Sequence, residues 1–435
     1  MSERRLGRRE LLVRGGIAAG AAALGAAGGY AVGHDASEDE ISDGGGFDLD
    51  PAYVNLTTFL IATHPHPVRE AIARHRERLD TSAAVYLRDA EPAFEEDARR
   101  AAGAYLGAPS DEIALTDSTT MGAALVYGGL RLRAGDEVVT TEHDFYATHE
   151  ALRLRAERDG IRVRRIRLYD DPAGASVEEI VAAVARGLSR RTRCLAVTWV
   201  HSSTGLKLPL AEIAAVVADA NRARPPDERV LLAVDGVHGF GVEAESPVAL
   251  GADVFFSGCH KWLFGPRGTG ILWAAPHAWE RLSPTIPTFY GPAYGAWLQG
   301  RAPDGVPPGP LMTPGGFNCF EHKWALTEAF AFHDGLGQAE VTRRTHTLAT
   351  RMKVGLGAID GVEVVTPHDE TLSAGLVCAN VAGRDPGELA DRLRAEHDVI
   401  ASVTPYATRY LRFGPSIANR EEDVDRAVEA LAALV

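Results

Sequence analysis

Cysteine is scarce in this chain: Cys194, Cys259, Cys319 and Cys378 are the only four in 435 residues, far apart and with no CxxC pair. That spacing gives no support for a cysteine metal site and argues against a disulfide framework. Positive charge is also short. The formal net charge is −14, and an acidic body argues against nucleic acid or anionic membrane surfaces as partners. No GxGxxG and no GxxxxGK[ST] occurs, so neither a dinucleotide nor a nucleoside triphosphate is the obvious ligand. Glu142, His143 and His149 come nearest to a metal cluster, but they lack the spacing of a zinc-enzyme helix, and no metal is expected. There is no internal repeat, and the rest of the composition is that of an ordinary globular protein.

What is present begins with an unusual N-terminus. The first fourteen residues hold five arginines against two glutamates, a local +3 that leaves −17 for the remainder. Arg8 and Arg9, then Leu11 and Leu12, lead into the Gly/Ala-rich stretch GGIAAGAAALGAAGGYAVG. A positive flank, a modest apolar core and small residues read as a signal peptide over residues 1–33, and the arginine pair resembles the twin-arginine export type. Alanine and glycine gain little in lipid, which disfavours a stable transmembrane anchor. Export through the twin-arginine machinery, to the periplasm or outside the cell, is therefore expected, after folding in the cytoplasm. No clean A-x-A cleavage site is visible, so a cytoplasmic or membrane-tethered protein is the alternative. Residues 34–50, acidic and glycine-rich, read as a linker that cannot bury a core.

From about Val68 the pattern alternates. Charged helical segments, VREAIARHRERL and EEDARRAAGAYLG, precede the runs EIALT, DEVVTT, IRVRRIRL, CLAVTWV, RVLLAVD, DVFFSG and GILW. Amphipathic segments such as SVEEIVAAVARGL separate them, with apolar residues at helical spacing. Strands joined by helix-length crossovers predict an α/β fold, a mostly parallel seven-stranded sheet with helices on both faces. After about Gly309 the texture changes to a smaller α+β unit. The expected division is an N-terminal segment 51–67 near the small domain and the active site, a large domain 68–308 and a small domain 309–435.

In an open parallel sheet the chemistry gathers beyond the carboxyl ends of the strands. The run EIALT leads into Ser118, Thr119 and Thr120 at a helix start, where free N–H groups and hydroxyls suit an anion. A plain N-cap explains the same residues. His143 follows DEVVTT. Asp235 ends RVLLAVD, and Lys261 follows DVFFSG after a short crossover, so both should reach one crevice. A lysine with an aspartate there is what pyridoxal phosphate requires: the amine forms a Schiff base, and the carboxylate keeps the pyridine nitrogen protonated. The bland alternative is a buried ion pair, which desolvation makes uncommon.

Six segments share an order with a known family. They are VNLTTFLIATHPHPVREAI, TDSTTMG, TEHDFYA, AVDGVHG, SGCHKW and YLRFGPSIANREEDVD. From about Pro51 to its end the chain resembles the aminotransferase class V family of fold type I pyridoxal-phosphate enzymes, especially its isopenicillin N epimerase-like branch. The resemblance implies that Lys261 holds the cofactor and then works as base and acid at the substrate α-carbon. It implies that Asp235 pairs with the pyridine nitrogen and that His143 stacks on the ring. Ser118, Thr119, Thr120, Ser257 and His260 would serve the phosphate side, with His238 at the phenolic oxygen and Ser202 nearby. Arg412 would grip the substrate carboxylate, a task suited to its planar fork, and Asn55, in the matching N-terminal segment, would bind substrate beside it. A homodimer with its active site near the interface is also implied.

Three departures stand out. Cys259 is inserted in the usual Ser-Gly-His-Lys pattern, GGFNC stands where relatives contribute glycine-threonine across the dimer, and Asp117 precedes the phosphate turn. The stretch VIASVTPYATRYLRF lacks the nucleophilic cysteine of desulfurases, which argues against persulfide chemistry. The expected activity is that of an aminotransferase or epimerase on an amino acid. C–S or other β-elimination is the alternative, and a non-catalytic pyridoxal-binding protein the second.

Overall fold

Apolar runs buried on both faces have one stable place, the middle of a parallel sheet. The computed structural model describes residues 46–435, so the expected signal and most of the linker lie outside the described residues. All seven runs become strands: β2 (Ile113–Thr116), β3 (Glu137–Thr141), β4 (Arg162–Ile166), β5 (Thr192–Thr198), β6 (Leu231–Asp235), β7 (Val254–Gly258) and β8 (Gly270–Ala274). They form one sheet in the order β2-β8-β7-β6-β5-β3-β4. Only β8 runs against its neighbours β2 and β7. The sequence RVRRI of β4 suits its edge position, where charge blunts pairing with another chain.

The helix α1 (His66–Leu106) precedes these strands, and α2 (Thr119–Gly129), α3 (Tyr146–Asp159), α4 (Val177–Gly187) and α5 (Leu210–Asn221) lie between them. Local rules explain their ends. Ser118 and Ser176 cap α2 and α4, accepting from Met121 N and Glu179 N at 3.1 Å each. The two charged segments expected before β2 run together as α1, kinked by non-helical backbone at Ser82 (φ −159°, ψ 62°).

A second sheet, antiparallel, has the order β12-β13-β10-β9, from β9 (Val362–Val364), β10 (Val377–Val381), β12 (Ser402–Val403) and β13 (Leu411–Phe413). The N-terminal β1 (Val54–Asn55) pairs in parallel with β11 (Val399–Ile400), tying residues near Pro51 to this unit. The helices α6 (Leu326–Leu336), α7 (Gln338–Gly357), α8 (Pro386–His397) and α9 (Glu421–Leu434) complete the chain.

The core does not divide where the texture changes. Ala325, Leu326, Ala329 and Phe330 share one buried cluster with Leu232 and Phe255 of the large sheet. The separate cluster under the small sheet draws on Val54, Leu348, Met352, Phe413 and Leu431. The apolar face of α6 packs on α1, within the cluster of the large sheet. Among the described residues no helix is long and apolar enough to cross a membrane.

Candidate active site

β6 and β7 lie side by side, and Asp235 faces Phe256 in register. Asp235 is 3% exposed, and its Oδ1 accepts one backbone N–H, from Val237 at 3.0 Å. Burial raises its pKa to about 7, against the opposing pull of that N–H and of Lys261. Burial likewise lowers Lys261 to about 8, opposed by Asp235 and reinforced by Arg412. The two influence each other without a direct ion pair among the described residues, so each is left to serve something else.

The connection from β7 to β8 is a tightly tied turn. Cys259 N donates to Thr269 O at 2.9 Å, Gly265 N to Cys259 O at 2.8 Å, and Phe264 N to Lys261 O at 2.9 Å. Phe264 holds a left-handed φ of 54°, costly for a residue with a side chain. Cys259 points into the core and is fully buried, which is how the extra residue is accommodated. Gly258 N donates to Thr119 Oγ1 at 2.8 Å. A Cβ on Gly258 would lie 2.9 Å from the His260 ring and 3.1 Å from Thr119 Oγ1. His260 Nδ1 is buried without a partner. A hydroxyl, a bare glycine and an orphaned imidazole nitrogen beside the start of α2 fit a phosphate group. The other members expected on this side stand apart. Ser118 spends its oxygen on the cap, Ser257 donates to Gly258 O at 3.0 Å, and Thr120 is exposed. Asp117 is exposed as well.

His143 stacks on Tyr169 at 3.9 Å between centroids and 11° between planes. Burial, then His201, lowers its pKa to about 3, so the ring is neutral. Tyr169 Oη meets His201 Nδ1 at 2.9 Å and Thr204 Oγ1 at 3.1 Å. Asp144, buried beneath, accepts from Thr140 Oγ1 at 2.6 Å and from the N–H groups of Thr141 and Thr198 at 2.7 Å each. It thereby pins β3 to β5. Glu142 and His149 turn elsewhere, to Arg167 at 2.8 Å and to Thr141 O at 2.8 Å.

Arg412 comes from β13 of the small sheet yet reaches the loop that follows β5 of the large one. Its Nη1 donates to Ser202 O at 3.0 Å and its Nε to Ser402 Oγ at 3.1 Å. Its guanidinium lies 4.5 Å from the Phe59 ring centroid. Burial in this position lowers its pKa, although an arginine stays charged. Ser202 Oγ meets Tyr406 Oη at 2.6 Å. Asn55 is not drawn into this group: its Oδ1 accepts from Thr57 N at 2.9 Å and Thr57 Oγ1 at 2.7 Å. Sequence reasoning missed Asp144, Tyr169, His201 and Tyr406. Asp144 adjoins His143 in TEHDFYA, and Tyr406 lies in the stretch VIASVTPYATRYLRF before Arg412.

These residues fit pyridoxal phosphate. A family model, aminotransferase class-V, matches residues 75–426. The chain belongs to the aminotransferase class-V family. It is accordingly a pyridoxal-phosphate-dependent enzyme. An isopenicillin N epimerase of Streptomyces clavuligerus is 29% identical over 396 residues, covering 89% of this chain and 96% of that protein. A probable cysteine desulfurase of Vibrio cholerae is 26% identical over 77% of this chain and 81% of its own length. A solved complex of the cystine C–S lyase C-DES with its reaction product cysteine persulfide aligns with a TM-score of 0.78. It is 21% identical and covers 87% of this class-V chain and 97% of that chain, which speaks for the fold.

Proposed function

We propose that this enzyme acts at the α-carbon of an amino acid, as an epimerase or aminotransferase, with its cofactor held by Lys261. The observation that carries the reading is that Asp235 at the end of β6, Lys261 just beyond β7 and Arg412 within β13 come close enough for Lys261 to feel the charge of both others. When bound, pyridoxal phosphate supplies an electron sink for the α-carbon. Asp235 would hold the proton on the ring nitrogen, because a cation beside it restores the charged carboxylate that burial disfavours. His260, Thr119 and the bare Gly258 would hold the phosphate. His143, neutral and backed by Tyr169, would lie against the ring. Arg412 would bind the substrate carboxylate, with Ser202 and Tyr406 beside it. Lys261 Nζ, once released, would take and return the α-proton; a pKa near 8 poises it for both directions.

The breadth of the match to an isopenicillin N epimerase supports chemistry at the α-carbon. C–S elimination is the second reading, favoured by the lyase and desulfurase relatives. Persulfide transfer has less support. Cys378 lies buried opposite Arg412, and burial raises its thiol to about 12, far from a nucleophilic thiolate. The test is an amino-acid panel in heavy water with the cofactor-loaded protein. Deuterated, racemised substrate means epimerisation, and keto acid means transamination. Pyruvate with sulfide means elimination. No deuterium exchange and no keto acid on any amino acid would sink the reading of chemistry at the α-carbon.

We also propose a homodimer and export. Phe289 and Trp297 are each 67% exposed around the helix Gly291–Leu298, which supports a covered face. Sedimentation at a single-chain mass would overturn the dimer. Retention of an Arg8→Lys, Arg9→Lys chain in the cytoplasm is expected if the arginine pair is the address.

A further inference from the structure

Trp262 follows Lys261, and His238 sits three residues beyond Asp235; both are buried, at 2% and 3% exposure. The indole Nε1–H of Trp262 donates to His238 Nδ1 at 3.2 Å. An indole N–H can only donate, so the nitrogen that receives it presents a lone pair and no proton. A neutral imidazole carries a single ring proton, which must then be on Nε2. Charging the ring would place a second N–H against the indole N–H, two donors with no acceptor between them. The surroundings oppose the charged ring as well. Burial, then Lys261 and Arg412, holds the pKa of His238 well below its usual range. Phe59 meets the ring edge-on at 6.3 Å and lies 6.2 Å from Trp262, which limits reorientation.

We propose that Trp262 is a positioning residue that fixes His238 as the Nε2–H tautomer, a neutral donor offered to the ring oxygen of the bound cofactor. The proposal rests on the pyridoxal-phosphate reading of Lys261. Its chemistry is specific. Lys261 and Arg412 already bring positive charge to this crevice, and a third cation would be repelled by both. A neutral N–H gives the anionic oxygen a directed hydrogen bond without that repulsion. Without the indole, either nitrogen could carry the proton, and the donor would be present only part of the time.

The test reads the proton directly. In the full chain labelled with ¹⁵N-histidine, His238 is assigned by its loss in His238→Gln. A pyridine-like Nδ1 and a pyrrole-like Nε2, before and after loading with pyridoxal phosphate, are expected. A protonated Nδ1 would overturn the proposal. Trp262→Phe should give a mixture of tautomers and raise the pH midpoint of the cofactor's visible band by about one unit, the equivalent of one hydrogen bond. An unchanged tautomer and midpoint in that variant would overturn the role of the indole. If Trp262→Phe fails to fold, neutron diffraction of the native enzyme decides the matter, with the deuteron expected on Nε2 and the proposal overturned by one on Nδ1. Borohydride trapping on Lys261 separates the two readings. Loss of that label would sink the cofactor reading, whereas an Nδ1–H would sink only the tautomer.

Discussion

Asp235 in the cofactor-free chain is a buried carboxyl with one N–H donor, and its pKa stands at about 7 against an ordinary 3.8. Between those values the folded chain keeps a proton that the unfolded chain has lost. Its contribution to stability is therefore full below pH 3.8 and is lost as pH rises through about 7. Asp235→Asn should remove that component. Calorimetry of the cofactor-free variant should show a melting temperature higher than wild type at pH 8 and no such gain at pH 4. The same substitution should slow α-proton exchange in the loaded enzyme, since the amide cannot hold the ring proton. Arg412→Lys tests the carboxylate grip. Losing a charge-assisted hydrogen bond of about 1.5–3 kcal/mol should raise KM by roughly 10- to 150-fold, with a smaller effect on kcat. A kcat loss at constant KM would assign Arg412 elsewhere.

At the scale of elements, the turn between β7 and β8 carries the site. Its glycine at 258 leaves room between Thr119 and His260 that a methyl group would fill. Overpacking costs about 1–3 kcal/mol, so Gly258→Ala should weaken pyridoxal-phosphate binding by roughly 5- to 150-fold. Fluorescence titration of the apoenzyme measures this, and unchanged affinity would mean that the phosphate lies elsewhere. The central strands were legible, because a run buried on both faces is continuous in apolar residues. The reversed direction of β8 was not, since hydrophobic pattern is blind to direction. The break at Ser82 was hidden for a related reason: two charged segments with helical spacing look alike whether joined or separate.

For the whole molecule, Glu243 links the two cores. Its carboxylate accepts from Lys207 Nζ at 2.7 Å and meets His346 Nε2 on α7 at 2.7 Å, with all three side chains 7–14% exposed. Against the upward push of burial, the hydrogen bond to His346 and then the charge of Lys207 keep Glu243 below the usual carboxylate range. Removing one partner from a buried pair costs about 3–5 kcal/mol, because the other charge is left uncompensated. Glu243→Gln should therefore lower stability to urea by an amount of that order. No loss would mean that water satisfies Lys207 there. α7 extends from the large core to the small sheet, so damage at Glu243 should also disturb the approach of Arg412.

The sequence alone determined the α/β architecture and the family, because buried strands and cofactor chemistry demand particular residues in a particular order. Tertiary structure decided the rest. Ser257 and Asn55 share segments with matching motifs, yet their oxygens are engaged locally, at Gly258 O and Thr57. Tyr406 meets Ser202 across 204 residues of chain, and Arg412 crosses from the small sheet to the large. Such contacts depend on how two sheets are docked, and no local periodicity encodes that. The tautomer of His238 belongs to the same class: it is set by an indole 24 positions away that folding alone brings to its side.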